Sequence, residues 1–183
     1  MYNISENPQV IYSLDMLSDT LFNLLMHHSI KDITITKLCE EAMLTRKTFY
    51  RNCENIYDLI IYKIDKLILK IQNSTDWNSS DEVKLFTNFF DYWYNNRKFL
   101  SILNKHNLFY LFITQFNLII QNSNYPFLEQ ILNKEENKND LKLFYNAFLV
   151  GGLSHVLEQW TKNNFEIDIK YLVKAMSTLT PQH

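Results

Sequence analysis

The chain has 183 residues but only 2 glycines and 3 prolines, and that scarcity constrains its fold more than any motif does. Tight hairpins and phosphate-cradling loops draw on residues that adopt positive φ or hold φ fixed. Here the two glycines are adjacent, at 151 and 152, which leaves almost none of that turn chemistry for the rest of the chain. An all-helical fold is therefore the expectation. Hydrophobic residues make up 46% of the sequence, enough at this length to fill one or two cores.

Apolar periodicity agrees. From Gln9 to His28 apolar residues fall at Val10, Leu14, Leu17, Leu21, Leu24 and Leu25, which places them on one face of a long first helix. Thr34 is positioned to cap a short second helix through Glu41, with Ile35, Leu38 and Cys39 turned inward, and Thr45 to cap a third. Ile56, Ile60, Ile64, Leu67, Ile68 and Ile71 form the stripe of a fourth. The stretch NSTDWNSS (73–80) is polar, rich in turn formers and reads as a linker. Beyond it Asp81 opens a helix to about Asn96, and aromatic-dense segments cover 98–123 and 126–132. KEENKND (134–140) reads as a solvated loop, and helices are expected from Asp140 to Asn163 and from Asp168 to Leu179. In the last of these Leu172, Ala175, Met176 and Leu179 share one side.

Formal net charge is −2, but the distribution matters more than the total. Residues 1–30 contain no Lys or Arg and three acids, while residues 31–70 contain eight bases against six acids. Between Thr45 and Asn52 there are three cations and no acid. That run closes the stretch LCEEAMLTRKTFYRN (38–52), which consists of two amphipathic runs broken at Met43-Leu44, the rhythm of a helix-turn-helix. Such a motif lays its second helix in the major groove, where Arg and Lys pair with guanine edges and Thr contacts a base or a thymine methyl. Arg46, Lys47, Thr48 and Arg51 supply those groups, and Tyr50 brings a phenol to the rim. Thr34, Thr36, Thr45, Asn52 and Asn55 sit at helix ends, where hydroxyl, amide and backbone N–H groups hold phosphates and set the register.

The segment ITITKLCEEAMLTRKTFYRNCENIYDLI (33–60) resembles the DNA-binding region of the TetR/AcrR family of bacterial repressors. Thr34, Cys39, Ala42, Leu44, Thr45, Thr48, Phe49, Tyr50, Asp58 and Leu59 fall on the family's pattern. Two positions depart from it. Met43 stands where the family usually has its turn glycine, so either a left-handed backbone is imposed on methionine at about 1–2 kcal/mol or the turn relaxes. Ile56 replaces a common lysine or arginine, removing one phosphate contact and about 0.9 from the salt slope. FFDYWYNNRKFLSIL (89–103) and FLVGGLSHVLEQW (148–160) are similar to the C-terminal domain of Firmicute-type members.

With a domain junction near that linker, the expected organisation is a helix-turn-helix domain over residues 1–54, a connecting fourth helix over 55–72, and a C-terminal domain over 73–183 for which the resemblance implies dimerisation and effector binding, with about nine helices in all. The resemblance also implies a homodimer on a palindromic operator in double-stranded DNA, paired through its last two helices, with Gly151, Gly152, His155, Trp160, Leu172 and Met176 as interface candidates. Each helix-interior glycine costs about 1 kcal/mol against alanine, so a close approach by a second helix or a ligand is expected there. The aromatic density of this half suggests a pocket for a small apolar or aromatic effector, with Trp93, His106, Tyr110, Phe116, Tyr145 and Phe148 as lining candidates. The function expected is a repressor released by that effector. The alternative is a regulator-like adaptor controlled by a protein partner, with weak or no DNA binding.

Enzymatic readings find little support. The sequence contains no Gly-rich phosphate loop, no Cys-x-x-Cys, no His-x-x-x-His and no Gly-x-Ser-x-Gly. His27 and His28 are adjacent, so on a helix they point about 100° apart and share no metal. No catalytic residue, metal or cofactor is expected. MYNISENPQV lacks the basic and apolar regions of a signal peptide, and no apolar run approaches the length of a membrane span. A cytoplasmic location is expected, with Cys39 and Cys53 as free thiols.

Overall fold

The computed structural model describes residues 2, 7–75, 79, 81–121 and 138–179. The expected segment 126–132 and residues 134–137 of the expected loop lie outside the described residues. Within them the regular structure is entirely helical: α1 (Pro8–His27), a 3-10 turn (Ile30–Asp32), α2 (Ile35–Glu41), α3 (Arg46–Asn52), α4 (Ile56–Ser74), α5 (Glu82–Asn95), α6 (Arg97–Lys105), α7 (Phe109–Gln121), α8 (Lys138–Lys162) and α9 (Ile169–Leu179). α8 begins at Lys138, ahead of the expected Asp140 and inside the stretch read as loop.

The chain divides into two compact units, residues 1–67 and 68–183, with the division falling inside α4. In the first unit α1, α2 and α3 pack on one another. Its core holds Leu14, Leu17, Leu21 and Leu25 of α1, Leu38 of α2 and Phe49 of α3, with Leu59, Ile60 and Ile64 of α4 also buried. Side-chain caps start the helices where the sequence placed them. Thr34 Oγ1 accepts from Lys37 N at 3.1 Å, Thr45 Oγ1 from Thr48 N at 3.1 Å, and Asp81 Oδ1 from Lys84 N at 3.0 Å. Each offsets one of the donors that a helix start leaves unpaired.

α1 and α4 are joined by polar contacts along their length. Ser18 Oγ donates to Leu59 O at 3.3 Å, and Tyr62 Oη donates to Asp15 Oδ1 at 2.8 Å. Lys63 pairs with Asp19 at 2.6 Å, and Lys66 pairs with Asp15. Tyr2 lies against α4, its ring edge-on to Tyr62 and its hydroxyl donating to Asp65 Oδ2 at 2.8 Å.

The second unit is built around aromatic rings. Trp93 of α5 packs edge-on against Phe112 of α7 at 4.9 Å, and Phe89 lies 6.0 Å from Phe116. α5 packs on α9, and α8 on α6 and α7. The inward stripe of α8 is Asn146, Val150, Leu153, Leu157 and Trp160, spaced at four, three, four and three residues as a single helical face requires.

Helix ends show how a chain so poor in glycine turns. Met43, Asn107 and Asn164 have φ of 52°, 56° and 51°, and no glycine has positive φ. Each of the three follows a helix C-cap and closes it with the same pair of bonds. For Met43 they run from Met43 N to Glu40 O at 3.1 Å and from Leu44 N to Cys39 O at 2.9 Å, the Schellman pattern that glycine usually serves. Both glycines instead lie inside α8.

Candidate nucleic-acid interface

α3 is a helix of seven residues whose inward direction is set by Phe49 and Asn52, 0% and 2% exposed. At about 100° per residue, Lys47 lies opposite them. Tyr50 and Arg51 flank it within about 50°, and Arg46 stands at the rim. All four are exposed, and Thr48 is half-buried. The outward surface of α3 is thus three cations, a phenol and a threonine hydroxyl. Tyr50 is braced by its ring, edge-on to Phe49 at 5.4 Å, which holds the phenol outward.

Electrostatics sharpen that surface. The basic excess of residues 31–70 includes lysines on α4, but Lys63 and Lys66 are taken up by the acids of α1. Among the described residues Arg46, Lys47 and Arg51 pair with no acid. Positive charge is therefore free on the outward side of α3, while Asp15 and Asp19 of α1 are spent against the lysines of α4.

Other expected contact residues fall into two groups. Thr34, Thr36, Thr45 and Asn55 are exposed at helix starts. Thr34 and Thr45 cap their helices, and Asn55 Oδ1 accepts from Tyr57 N at 2.9 Å. Thr45 and Thr48 also share a hydroxyl-hydroxyl hydrogen bond at 3.0 Å, which orders the first turn of α3. Asn52, by contrast, does not belong to the surface. It is buried, its Nδ2 donates to Thr48 O at 3.0 Å, and its Oδ1 has no partner among the described residues. Its place three residues after Phe49 was the available signal, since i and i+3 share a helix face.

Two features were not legible beforehand. Lys37 Nζ and His28 Nε2 lie 3.2 Å apart at the entry to α2, a pairing that needs the fold of the α1–α2 loop. Asp58 is buried, and its Oδ2 accepts from Glu54 N at 2.8 Å. That bond closes the α3–α4 connection and gives the Asp58-Leu59 pair its physical role, with Leu59 filling the core beside it. Burial pushes the Cys39 thiol up, and that of Cys53 up to about 12, so both remain thiols at neutral pH.

In the second unit the two expected residue sets separate differently from the way the sequence grouped them. Of the pocket candidates, Trp93 and Phe116 are core residues, His106 is half-buried, and Tyr110, Tyr145 and Phe148 are exposed. Of the interface candidates, Gly152 and His155 are exposed, with Gly151, Leu172 and Met176 half-buried. Trp160 is 2% exposed, flanked by Phe90, Tyr94 and Phe165, and its Nε1 donates to Ile167 O at 2.8 Å. It is a core residue of its own protomer. The outer side of α8 shows Phe144 and Phe148 instead. No helix among the described residues is long and apolar enough to cross a membrane.

Comparison with known proteins bears on both units. Residues 80–182 match a family described as transcriptional regulator C-terminal region. A comparison with curated proteins found no match. Among solved structures the chain is similar to one named dihydroxyacetone kinase operon activator DhaS, with 14% sequence identity and a TM-score of 0.54, covering 94% of this chain and 99% of that one. That likeness shows a shared fold. The matched family covers more than half of the chain, and its members bind DNA and are dimers. With a helix-turn-helix whose reading helix is faced with unpaired cations, ahead of a helical C-terminal unit of that type, the chain belongs to the TetR family of transcriptional regulators.

Proposed function

We propose that this regulator binds a palindromic operator as a homodimer, with α3 of each protomer in the major groove, and represses transcription until an effector displaces it. The observation that carries the reading is the outward face of α3, where Arg46, Lys47 and Arg51 have no acid partner among the described residues. Cations held free on the exposed side of a short helix contribute to affinity for a polyanion without first breaking an internal pair.

Dimerisation is assigned to the outer side of α8. Phe148 is 74% exposed, Phe144 is exposed one turn earlier, and Gly152 and His155 continue the same side. A Cβ built on Gly151 or Gly152 meets nothing within 4 Å. The close approach that would offset two helix-interior glycines is thus not made by the described residues of the protomer, and a second α8 crossing there would make it. Release then needs an effector that binds better to a state with wrongly spaced reading helices, by the ratio of its affinities for the two states.

Exposure of Tyr145 and Phe148 favours a second reading, in which control comes from a protein that docks on this half. The activator name of the similar structure makes the sign of regulation an outcome of experiment.

A gel-shift titration of the purified chain on DNA upstream of its own coding region, at low salt, tests the proposal. A retarded complex that disappears in the Arg46→Ala, Lys47→Ala double variant supports it. Failure to shift any upstream fragment, with partner binding intact in the double variant, would favour the adaptor.

A further inference from the structure

The exposed side of α3 is chemically one-sided. Lys47, Arg51 and Arg46 are hydrogen-bond donors without acceptor capacity, and Tyr50 and Thr48 are hydroxyls that serve either way. The single amide of the helix, Asn52, is buried and bonded to Thr48 O. No carboxylate occurs in α3. In the major groove adenine is read by an amide that both accepts from N6 and donates to N7, cytosine by an acceptor facing N4, and guanine by a donor facing its O6 and N7 acceptors. The charged side chains on the outward side of α3 carry the chemistry for the third.

Position adds a spacing. Lys47 lies opposite the buried side and Arg51 about 40° from it, one turn on. Four residues advance about 6 Å along a helix axis, and base pairs stack about 3.4 Å apart, so the two side chains address positions about two base-pair steps apart. Arg46 lies about 90° from the outward direction, where the groove wall and its phosphates stand. Resting on the reading of α3 as the groove helix, we infer that each operator half-site is read through two guanines about two steps apart, by Lys47 and Arg51. Arg46 contributes affinity without base preference.

The experiment is selection of the full chain on a pool of random duplex DNA at low salt, followed by base-analogue substitution in the selected duplex. The expected result is a pair of guanines at constant spacing in each half-site. Replacing either by 7-deazaguanine, which removes N7 and leaves base pairing intact, weakens binding about tenfold or more. Inosine, which keeps O6 and N7, is tolerated. Lys47→Ala and Arg51→Ala each relax selection at one of the two positions, whereas Arg46→Ala weakens all sequences alike. All three residues are exposed, and circular dichroism checks that the variants stay helical. Selected duplexes without constant guanines, or indifference to 7-deazaguanine, overturn this inference and leave DNA binding standing. Retention of no duplex at all overturns the DNA-binding reading with it.

Discussion

Met43→Gly is the substitution whose effect the structure determines most completely. Met43 holds φ 52° at the end of α2 and is 92% exposed, so its side chain contributes almost no burial. Both bonds that close the turn, Met43 N to Glu40 O and Leu44 N to Cys39 O, are backbone bonds and survive the change. A left-handed conformation costs a residue with a Cβ about 1–2 kcal/mol, and glycine removes that cost. Against it stands the greater freedom of glycine in the unfolded chain, about 0.4–1 kcal/mol. The net is a stabilisation of about 0.5–1 kcal/mol, which slows exchange of globally protected amides in the first unit by about two- to fivefold, as follows from RT. Native-state hydrogen exchange of core amides such as Leu21 and Leu38 measures this in the intact chain. Met43→Ala is the control, because alanine keeps the strain and gains nothing. If glycine fails to slow exchange, or alanine slows it equally, the strain is not at the turn. Operator affinity should stay unchanged or improve, since no groove-facing group is touched.

Four further outcomes are expected. Asp65 is pushed up to about 6 from 3.8, chiefly by burial and against the opposing pull of the Tyr2 hydroxyl. The folded state therefore binds its proton more tightly than the unfolded chain, and stability from this group falls as pH rises from about 4 through about 6. Asp65→Asn should accordingly stabilise the chain more at pH 7.5 than at pH 4.5 in urea unfolding, and an equal effect at both would refute the assignment. Trp160→Ala should cost about 3–5 kcal/mol and unfold the second unit. Phe148→Asp should leave the helical content intact and shift sedimentation equilibrium toward monomer, and a Phe148→Asp dimer as tight as the parent would remove α8 from the interface. Cys39 and Cys53 are buried with raised thiols, so iodoacetamide at pH 8 should label them only in urea, and prompt labelling of the folded chain contradicts their burial.

The helices and their starts were legible because local chemistry determines them. Thr34, Thr45 and Asp81 cap helices whether or not the rest of the chain is known, and the stripes of α1 and α4 have one apolar side each. α8 was not legible in the same way. Its polar and apolar residues are spread around the helix, so periodicity alone does not say which side faces its own protomer. An interface role for Trp160 needs it outward and a pocket role for Phe148 needs it inward, whereas Trp160 is buried and Phe148 exposed. Packing of α8 on α6 and α7 selects the stripe 146, 150, 153, 157 and 160, and that choice is a tertiary one. On α3 the cations were assigned from type and spacing, and the structure leaves Arg46, Lys47 and Arg51 exposed. Asn52 reads as a surface amide by its polarity, yet its position three residues after Phe49 puts it on the buried side. That Lys63 and Lys66 are neutralised by Asp19 and Asp15 depends on how α1 lies along α4, which no local pattern encodes.

The central claim is that two copies of α3, related by a two-fold axis, enter DNA together. Hydroxyl-radical footprinting of the full chain on its upstream DNA tests it most directly. The account predicts two protected segments, symmetric about a centre, with their centres about 10–10.5 base pairs or a multiple of that apart. It also predicts that both are lost together in the Arg46→Ala, Lys47→Ala variant. A single protected patch without symmetry, or a footprint that survives in that variant, would contradict it.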